Sequence, residues 1–251
     1  MMITALCGQK GGSGKTTAAI AITGELLSRG ARVLLVDADT QGSARTWGDV
    51  AAEHGHPAPT IVVMGSTMHL PGQLDAIAPH YDHVLIDCPP RLDDVQRSAL
   101  MVADLAVMPC GPSAVDAWAM AASVQVVQRA QAVRPELRVV ALITRKIAHT
   151  VIGAGARDAL AQTGLRVLAA ELHARVAYQE APAFGLGIAQ HAPRDPAAAE
   201  VRALVDELLR EGTTHVQAEA TDRTPAARRA ELVRGRGPGT AGTCAPGFPG
   251  T

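Results

Sequence analysis

The run Lys10-Gly11-Gly12-Ser13-Gly14-Lys15-Thr16 constrains the fold of this chain more than any other part of its sequence. It follows a short apolar segment, Ile3–Cys7, and precedes a stretch with helical character that ends near Ser28. A strand, a glycine-rich loop and a helix in this order form a phosphate-binding loop, because glycines let the backbone curl until its N–H groups face phosphate oxygens. The N-terminus of the following helix adds a partial positive charge. We therefore expect a nucleotide site at the first strand of an α/β sheet.

Lysine is rare in this chain, and its placement indicates a specific role. Three of the 23 basic residues are lysines, and two of these are Lys10 and Lys15. A compact ammonium group is not interchangeable with a planar guanidinium at a crowded site. We expect Lys15 to reach the β- and γ-phosphates and the Thr16 hydroxyl to ligate Mg²⁺, although an ordinary glycine-rich turn is the alternative. The expected nucleotide-binding residues are Gly11, Gly12, Ser13, Gly14, Lys15, Thr16 and Thr17.

Two apolar strands of the sequence end in carboxylates. Asp37 ends the first and is followed closely by Asp39; Asp87 ends the second, just before Pro89 and Pro90. In open α/β sheets, ligands bind at the carboxyl edge of the strands, so these side chains are expected beside the glycine-rich loop. Asp87 would then hold Mg²⁺ through water. Taken alone, Asp37 and Asp39 could equally be turn or capping residues.

The loop departs from the common GxxxxGK[ST] pattern, because Gln9 stands where that pattern has glycine. KGGxxK[ST] resembles the deviant Walker A motif of the ParA/MinD family of P-loop ATPases, and residues 37–42 resemble its DxDxQG motif. The resemblance implies that Lys10 reaches across an ATP-sandwich homodimer to the partner's phosphates and that Asp39 orients the attacking water. It implies catalytic roles for Lys10, Lys15 and Asp39, and a magnesium shell that involves Thr16, Asp37 and Asp87.

The resemblance extends beyond the nucleotide site. Segments 112–116, 142–146, 180–185 and 189–193 are similar, in the same order, to segments of short ParA proteins that lack an N-terminal helix-turn-helix extension. One departure is Ala174-Arg175-Val176-Ala177, where the family often has Arg-Asn-Val-Arg, so the usual basic cluster is thinner.

The family resemblance implies a cycle of binding and release. ATP and Mg²⁺ join two subunits, the dimer binds nucleoid DNA non-specifically, and a ParB-like or other cargo adaptor stimulates hydrolysis. The expected location is the bacterial cytoplasm, on the nucleoid. Plasmid or chromosome partition is the leading cargo assignment, and carboxysomes or other protein bodies are also compatible with the sequence. The DNA-contact candidates, each of which could instead be a solvated surface residue, are Arg175, Arg202, Lys146 and Arg194.

Composition and periodicity indicate one large α/β domain. The chain has 251 residues, of which 47% are hydrophobic but only 2% aromatic, so the core must consist of Ala, Val, Leu and Ile. The net charge of −1 excludes a strongly basic chain, so any DNA contact must come from a local patch. We find no apolar run long enough for a membrane span and no signal peptide. Four cysteines without CxxC spacing are expected to be free thiols, with metal ligation as the alternative.

Short apolar runs alternate with helical patterns, which predicts a doubly wound, mostly parallel sheet with helices on both faces. Predicted strands are 3–7, 32–37, 60–63, 83–87, 105–109, 139–144 and 166–169. Predicted helices are 16–28, 43–53, 68–78, 95–102, 115–133, 151–162 and 197–210. We expect an ATPase domain at residues 1–211 and a disordered Gly/Pro/Arg-rich tail at 212–251.

Three other functions fit a P-loop chain. A MinD-like membrane ATPase would need a C-terminal amphipathic helix with a basic face, and the predicted helix 197–210 is rich in acidic residues instead. A metabolic P-loop enzyme shares the fold, so only the segments beyond the nucleotide site argue against it. A non-hydrolysing nucleotide switch is disfavoured because Lys15, Thr16, Asp39 and Asp87 are all present.

Overall fold

The computed structural model describes residues 1–91 and 94–222, with side chains described as far as Gly212. Its seven strands form one sheet in the order β3-β2-β4-β1-β5-β6-β7, and every neighbouring pair is parallel. This confirms the predicted α/β class. The strands are β1 (Met2–Leu6), β2 (Val33–Asp37), β3 (Thr60–Val63), β4 (His83–Asp87), β5 (Leu105–Cys110), β6 (Arg138–Lys146) and β7 (Arg166–His173).

The helices of the described residues cover both faces of the sheet. One core layer lies under α1, α2, α7, α8 and α9, and the other under α3, α4, α5 and α6. Neighbouring residues of a strand enter opposite layers, as Leu35 and Val36 do, because side chains alternate along a strand. The helices are α1 (Lys15–Ser28), α2 (Ser43–Glu53), α3 (Leu74–Ile77), α4 (Asp94–Val102), α5 (Ala114–Val133), α6 (Val151–Ala161), α7 (Ala177–Ala183), α8 (Ile188–His191) and α9 (Pro196–Asp222).

Four helical segments differ from the sequence-based expectation. The helix predicted at 68–78 shrinks to α3 and a following 3₁₀ turn, because Pro71 lacks an N–H and Gly72 adopts a left-handed φ of 79°. The short helices α7 and α8 were not predicted. The last helix, α9, runs to Asp222 rather than ending at residue 210.

Residues Met1–Gly212 form one compact unit. The expected boundary at residue 211 and the expected disordered tail remain predictions, because residues 223–251 lie outside the described part of the chain. Cys7, Cys88 and Cys110 are buried, and Cys244 lies outside the described residues. Within the described ranges, no helix is long and apolar enough to cross a membrane, and no cluster of three or more His, Cys, Asp or Glu side chains could hold a metal ion.

Helix α1 touches the α7–α8 connection backbone to backbone. A Cβ atom placed on Gly24 would lie 2.7 Å from the Cα atom of Gly187, and one placed on Gly187 would lie 2.9 Å from the Cα atom of Gly24. Two other contacts fix the same connection: Trp47 donates its indole N–H to the carbonyl oxygen of Leu186, and Gly185 leaves no room for a side chain beside Ala51. The helix that follows the glycine-rich loop is therefore held at its middle by the C-terminal part of the fold.

We expect Gly24→Ala to destabilise the protein by about 1–3 kcal/mol, because the new methyl group would overlap backbone atoms that have no freedom to move aside. Gly155→Ala in α6 is the matched control, since no atom lies within 4 Å of that Cβ position. Alanine is the better helix former, so the control should be about 0.5–1 kcal/mol more stable than wild type. Urea unfolding measures both. Equal stability of the two variants would contradict the close contact.

Candidate nucleotide-binding site

The glycine-rich loop connects β1 to α1 and is curled by left-handed backbone at two glycines. Gly12 has φ 69° and Gly14 has φ 93°, conformations that residues with a side chain rarely adopt. The Thr144 hydroxyl, from β6, donates a hydrogen bond of 2.7 Å to the carbonyl oxygen of Ser13 and fixes the curled loop against the sheet. The loop thus has the form that phosphate binding requires.

A cavity of about 190 Å³ opens over the start of α1. Lys15, Thr16 and Asp39 line it together, as do Thr17 and three of the loop glycines, so the structure brings these predicted residues into one site. Ser13, which also belongs to the loop, is buried and does not line this cavity. Lys15 is also largely buried, and its ammonium group donates a 3.2 Å hydrogen bond to the carbonyl oxygen of Lys10. Burial lowers the pKa of Lys15, and the negative charge of Asp87 opposes that shift.

Asp37 and Asp87 are neighbours in register at the ends of β2 and β4, and both are fully buried. Asp37 accepts hydrogen bonds from the backbone N–H groups of Asp39, at 3.2 Å, and Arg45, at 2.9 Å. Its carboxylate therefore orients the turn that carries Asp39 and the first turn of α2. These contacts give Asp37 a positioning role, and its expected place near Mg²⁺ stays a prediction.

Asp87 has the features of a magnesium-shell residue. Thr16 donates a hydrogen bond to its carboxylate, whereas the Oδ1 atom is buried without a partner among the described residues. Burial raises the pKa of Asp87 to about 7, against the opposing effect of the Thr16 hydrogen bond. A buried carboxylate oxygen without a donor, beside a threonine hydroxyl, fits a hydrated divalent cation, because hard cations prefer such oxygen ligands.

Lys10 lies outside the cavity that Lys15 lines. Its ammonium group is 2.5 Å from Oδ1 of Asp116, a buried residue in the first turn of α5. Arg145 approaches the same oxygen at 3.5 Å, and the second carboxylate oxygen, Oδ2, accepts hydrogen bonds from the backbone N–H and the hydroxyl of Ser113, the N-cap residue of α5. Burial opposes ionisation of Asp116, but the hydrogen bonds from Lys10 and Ser113 outweigh it and lower its pKa. The sequence reading gave Asp116 no role; the only signal was its place in the segment Pro112–Asp116.

A second cavity, of about 280 Å³, lies on the other side of the loop. Gly12, Gly14 and Thr17 form one wall, and Arg145, His173 and Arg175 form part of the other. It adjoins the first cavity through the two glycines, so one ligand with a phosphate chain and a nucleoside could occupy both.

Glu200 of α9 holds the far wall of this second cavity. Its carboxylate accepts hydrogen bonds from the backbone N–H of His173, from the Arg175 guanidinium at 2.6 and 2.8 Å, and from the Tyr178 hydroxyl at 3.0 Å. The carboxylate is itself largely buried, so these charge-assisted bonds are strong. Arg175 is therefore part of the cavity wall.

The four predicted DNA-contact residues fall into two groups. Arg175 is paired with Glu200, and Lys146 is paired with Glu171 at 2.5 Å. Arg194 and Arg202 are exposed, and neither side chain makes an ion pair within the described part of the chain. Their role in DNA binding stays a prediction, and the geometry favours the second pair.

A model of the CobQ/CobB/MinD/ParA nucleotide-binding domain matches residues 4–188. The chain is 33% identical to the chromosome-partitioning ATPase Soj of Thermus thermophilus over 234 residues, which covers 82% of this chain and 94% of Soj. It is 28% identical to maintenance of carboxysome distribution protein A of Halothiobacillus neapolitanus over 207 residues, or 82% and 95% of the two chains. Its fold matches that of MinD from Pyrococcus horikoshii, complexed with Mg-ADP, with a TM-score of 0.68, 18% identity and coverage of 85% and 98%.

Proposed function

Because this chain belongs to the CobQ/CobB/MinD/ParA family of nucleotide-binding domains, we propose that it is a Mg²⁺-dependent ATPase that dimerises with ATP and positions a cargo on DNA. The dimer would bind nucleoid DNA non-specifically in the bacterial cytoplasm, and hydrolysis would release it. The observation that carries the proposal is that the two lysines of the loop lie in different places. Lys15 lines the phosphate cavity of its own subunit, whereas Lys10 lies beside that cavity and is held by Asp116.

The residues of the cavity suggest how each would act. The curled loop and Lys15 bind the phosphate chain, and Thr16 and Asp87 hold the magnesium shell. Bound Mg²⁺ would neutralise charge on the β- and γ-phosphate oxygens. Asp39, whose backbone N–H donates to the Asp37 carboxylate and whose side chain is half-buried at the cavity, would orient a water molecule for attack. Lys10 would supply a second cation to the partner's phosphates, so hydrolysis would require the dimer.

The cargo would be set by an adaptor, ParB-like or of another kind, that stimulates hydrolysis. The names of the relatives support two kinds of cargo, chromosomes and carboxysomes, and plasmid partition belongs to the same class of function. Arg202 and Arg194 are the best-placed DNA contacts, because they are exposed and unpaired among the described residues. A dimer presents both arginines twice. Its affinity for DNA rises with each phosphate contact, because each contact releases counterions.

Binding to random-sequence DNA at one fixed salt concentration tests the proposal. We expect binding with ATP and Mg²⁺, and at least tenfold weaker binding with ADP or without nucleotide. Lys10→Ala should bind ATP as a monomer but lose the nucleotide-dependent DNA binding. Arg202→Glu should weaken DNA binding about tenfold without affecting the dimer. Arg97→Glu is the matched control, because it makes the same charge change on α4, on the opposite face of the sheet.

An ATP dimer that does not bind DNA would contradict the DNA part of the proposal and favour a membrane-associated or metabolic P-loop ATPase. A protein that binds ATP without dimerising would contradict the role of Lys10.

A further inference from the structure

Five large apolar side chains are exposed near the starts of α5 and α6. Trp118 is 72% exposed and Val151 is 91% exposed, in a chain whose other tryptophan, Trp47, is 3% exposed. We call the set the apolar rim; its members are Val115, Trp118, Ile147, Val151 and Ile152.

The members of the apolar rim come from two adjacent parts of the fold. Val115 and Trp118 lie in the first two turns of α5, which follows β5; the other three lie just after β6, up to the start of α6. Strands β5 and β6 are paired, and α5 packs against α6. Both helices therefore begin side by side at the carboxyl edge of the sheet, where the nucleotide cavities open.

Between Trp118 and Arg129, no exposed residue of α5 is charged. The exposed residues of this stretch are Ala121, Ala122, Gln125 and Gln128. A helix side that faces water in a soluble domain normally carries charged residues. A surface that carries an exposed tryptophan and few charged residues resembles the centre of a protein interface in its composition.

Asp116 links the apolar rim to Lys10. It lies between Val115 and Trp118 in the sequence and holds the Lys10 ammonium group at 2.5 Å. Side chains on a helix lean toward its N-terminus, so Trp118 leans toward the loop that carries Lys10. A partner molecule close enough to receive Lys10 would therefore cover this part of α5.

We infer that the apolar rim is the hydrophobic contact of the ATP dimer and that a second copy of this chain covers it. This inference rests on the proposed function, because it takes from it that Lys10 reaches the partner's phosphates. A lysine ammonium group is carried on a stem of only four carbons, so two such loops must nearly touch. A stable interface buries about 800 Å² on each partner around an apolar, aromatic-rich centre. A loop of glycines and charged residues cannot supply that centre, whereas the adjoining apolar rim can.

The test compares Trp118→Ser with Val133→Ser by sedimentation, in the presence of Mg²⁺ and a non-hydrolysable ATP analogue. Both side chains are exposed on α5, but Val133 is its last residue, about 20 Å from Trp118 along the helix axis. Serine adds no charge beside Lys10 and Asp116. Trp118→Ser should weaken the dimer roughly thirtyfold, as loss of a central aromatic contact does, and Val133→Ser should change its affinity less than about twofold. Neither should alter nucleotide affinity in the monomer.

Tryptophan fluorescence provides a second readout. The emission of the wild-type protein should shift to shorter wavelength with the ATP analogue but not with ADP, as Trp118 leaves water. Trp118→Phe should still dimerise but show no shift, which would assign the signal to Trp118.

A Trp118→Ser protein that dimerises as well as wild type, or a wild-type dimer without the emission shift, would overturn the inference and leave the proposed function intact; an adaptor would then be the occupant to test. A wild-type protein that binds the analogue and stays monomeric would overturn both.

Discussion

Replacing Lys15 with alanine should abolish ATP binding. Lys15 is 6% exposed and its ammonium group faces the cavity where the loop glycines converge. Removing one partner of a buried charge pair costs about 3–5 kcal/mol, so affinity should fall by roughly 10²- to 10⁴-fold. Isothermal titration with an ATP analogue and Mg²⁺ measures the loss.

Lys146→Ala is the matched control for Lys15→Ala. Lys146 is the third lysine of the chain, and it pairs with Glu171, which retains Arg157 as a second partner at 2.7 Å. This variant should bind ATP as wild type does. If Lys15→Ala bound ATP within threefold of wild type, the loop would not be a phosphate-binding site.

Replacing Asp39 with alanine should reduce ATP hydrolysis by about 10²- to 10³-fold while ATP binding persists, because correct placement of the attacking water is worth that much. Asp39 lines the phosphate cavity, and its carboxylate is fixed by a 3.0 Å hydrogen bond from the backbone N–H of Gln41. The ATP-bound dimer should therefore accumulate. Single-turnover phosphate release and sedimentation measure the two effects.

Asp49→Ala is the control for charge removal near Asp39, since Asp49 is an exposed residue of α2, the helix that follows the Asp39 turn. It should hydrolyse ATP at the wild-type rate. Hydrolysis by Asp39→Ala at a rate near wild type would remove Asp39 from the reaction.

The sequence was sufficient to predict that the candidate site residues lie together, because parallel strands carry all of them to one edge of the sheet. Asp37 and Asp87 end strands that pair in register, and the glycine-rich loop follows β1, the neighbour of β4. Once the periodicity indicates a parallel sheet, these positions must converge. The bounds of β3 and β4 were predicted correctly for a similar reason, since each is a short apolar run with clear ends.

The contacts made by single carboxylates could not be predicted. Asp116 meets Lys10 across 106 positions of sequence, and Glu200 meets Arg175 across 25. Neither pairing follows from any local sequence pattern, because the partners are far apart along the chain. Arg175 was expected at a DNA surface because of its place in the sequence, yet its guanidinium lies on Glu200, in the wall of the second cavity.

Helices α7 and α8 were missed because they lack the local signals of helices. Helix α7 contains Pro182, and α8 has only four residues, so neither shows a full period of apolar residues. Their conformation is set by packing against α1 and α2 rather than by propensity.

The close contacts of Gly185 with Ala51 and of Gly187 with Gly24 give a structural role to the segment Glu180–Gly185 and the two residues that follow it. On the sequence alone it resembles a signature with a chemical role. In the fold, its glycines let stretches of main chain approach to contact distance. What these positions require is therefore the absence of a side chain. Either position can accept a larger residue only if the opposite backbone withdraws, and α1 begins with Lys15. Substitutions in this segment, whether by design or by grafting, should therefore keep its glycines, because they set the spacing between α1, α2 and the α7–α8 connection.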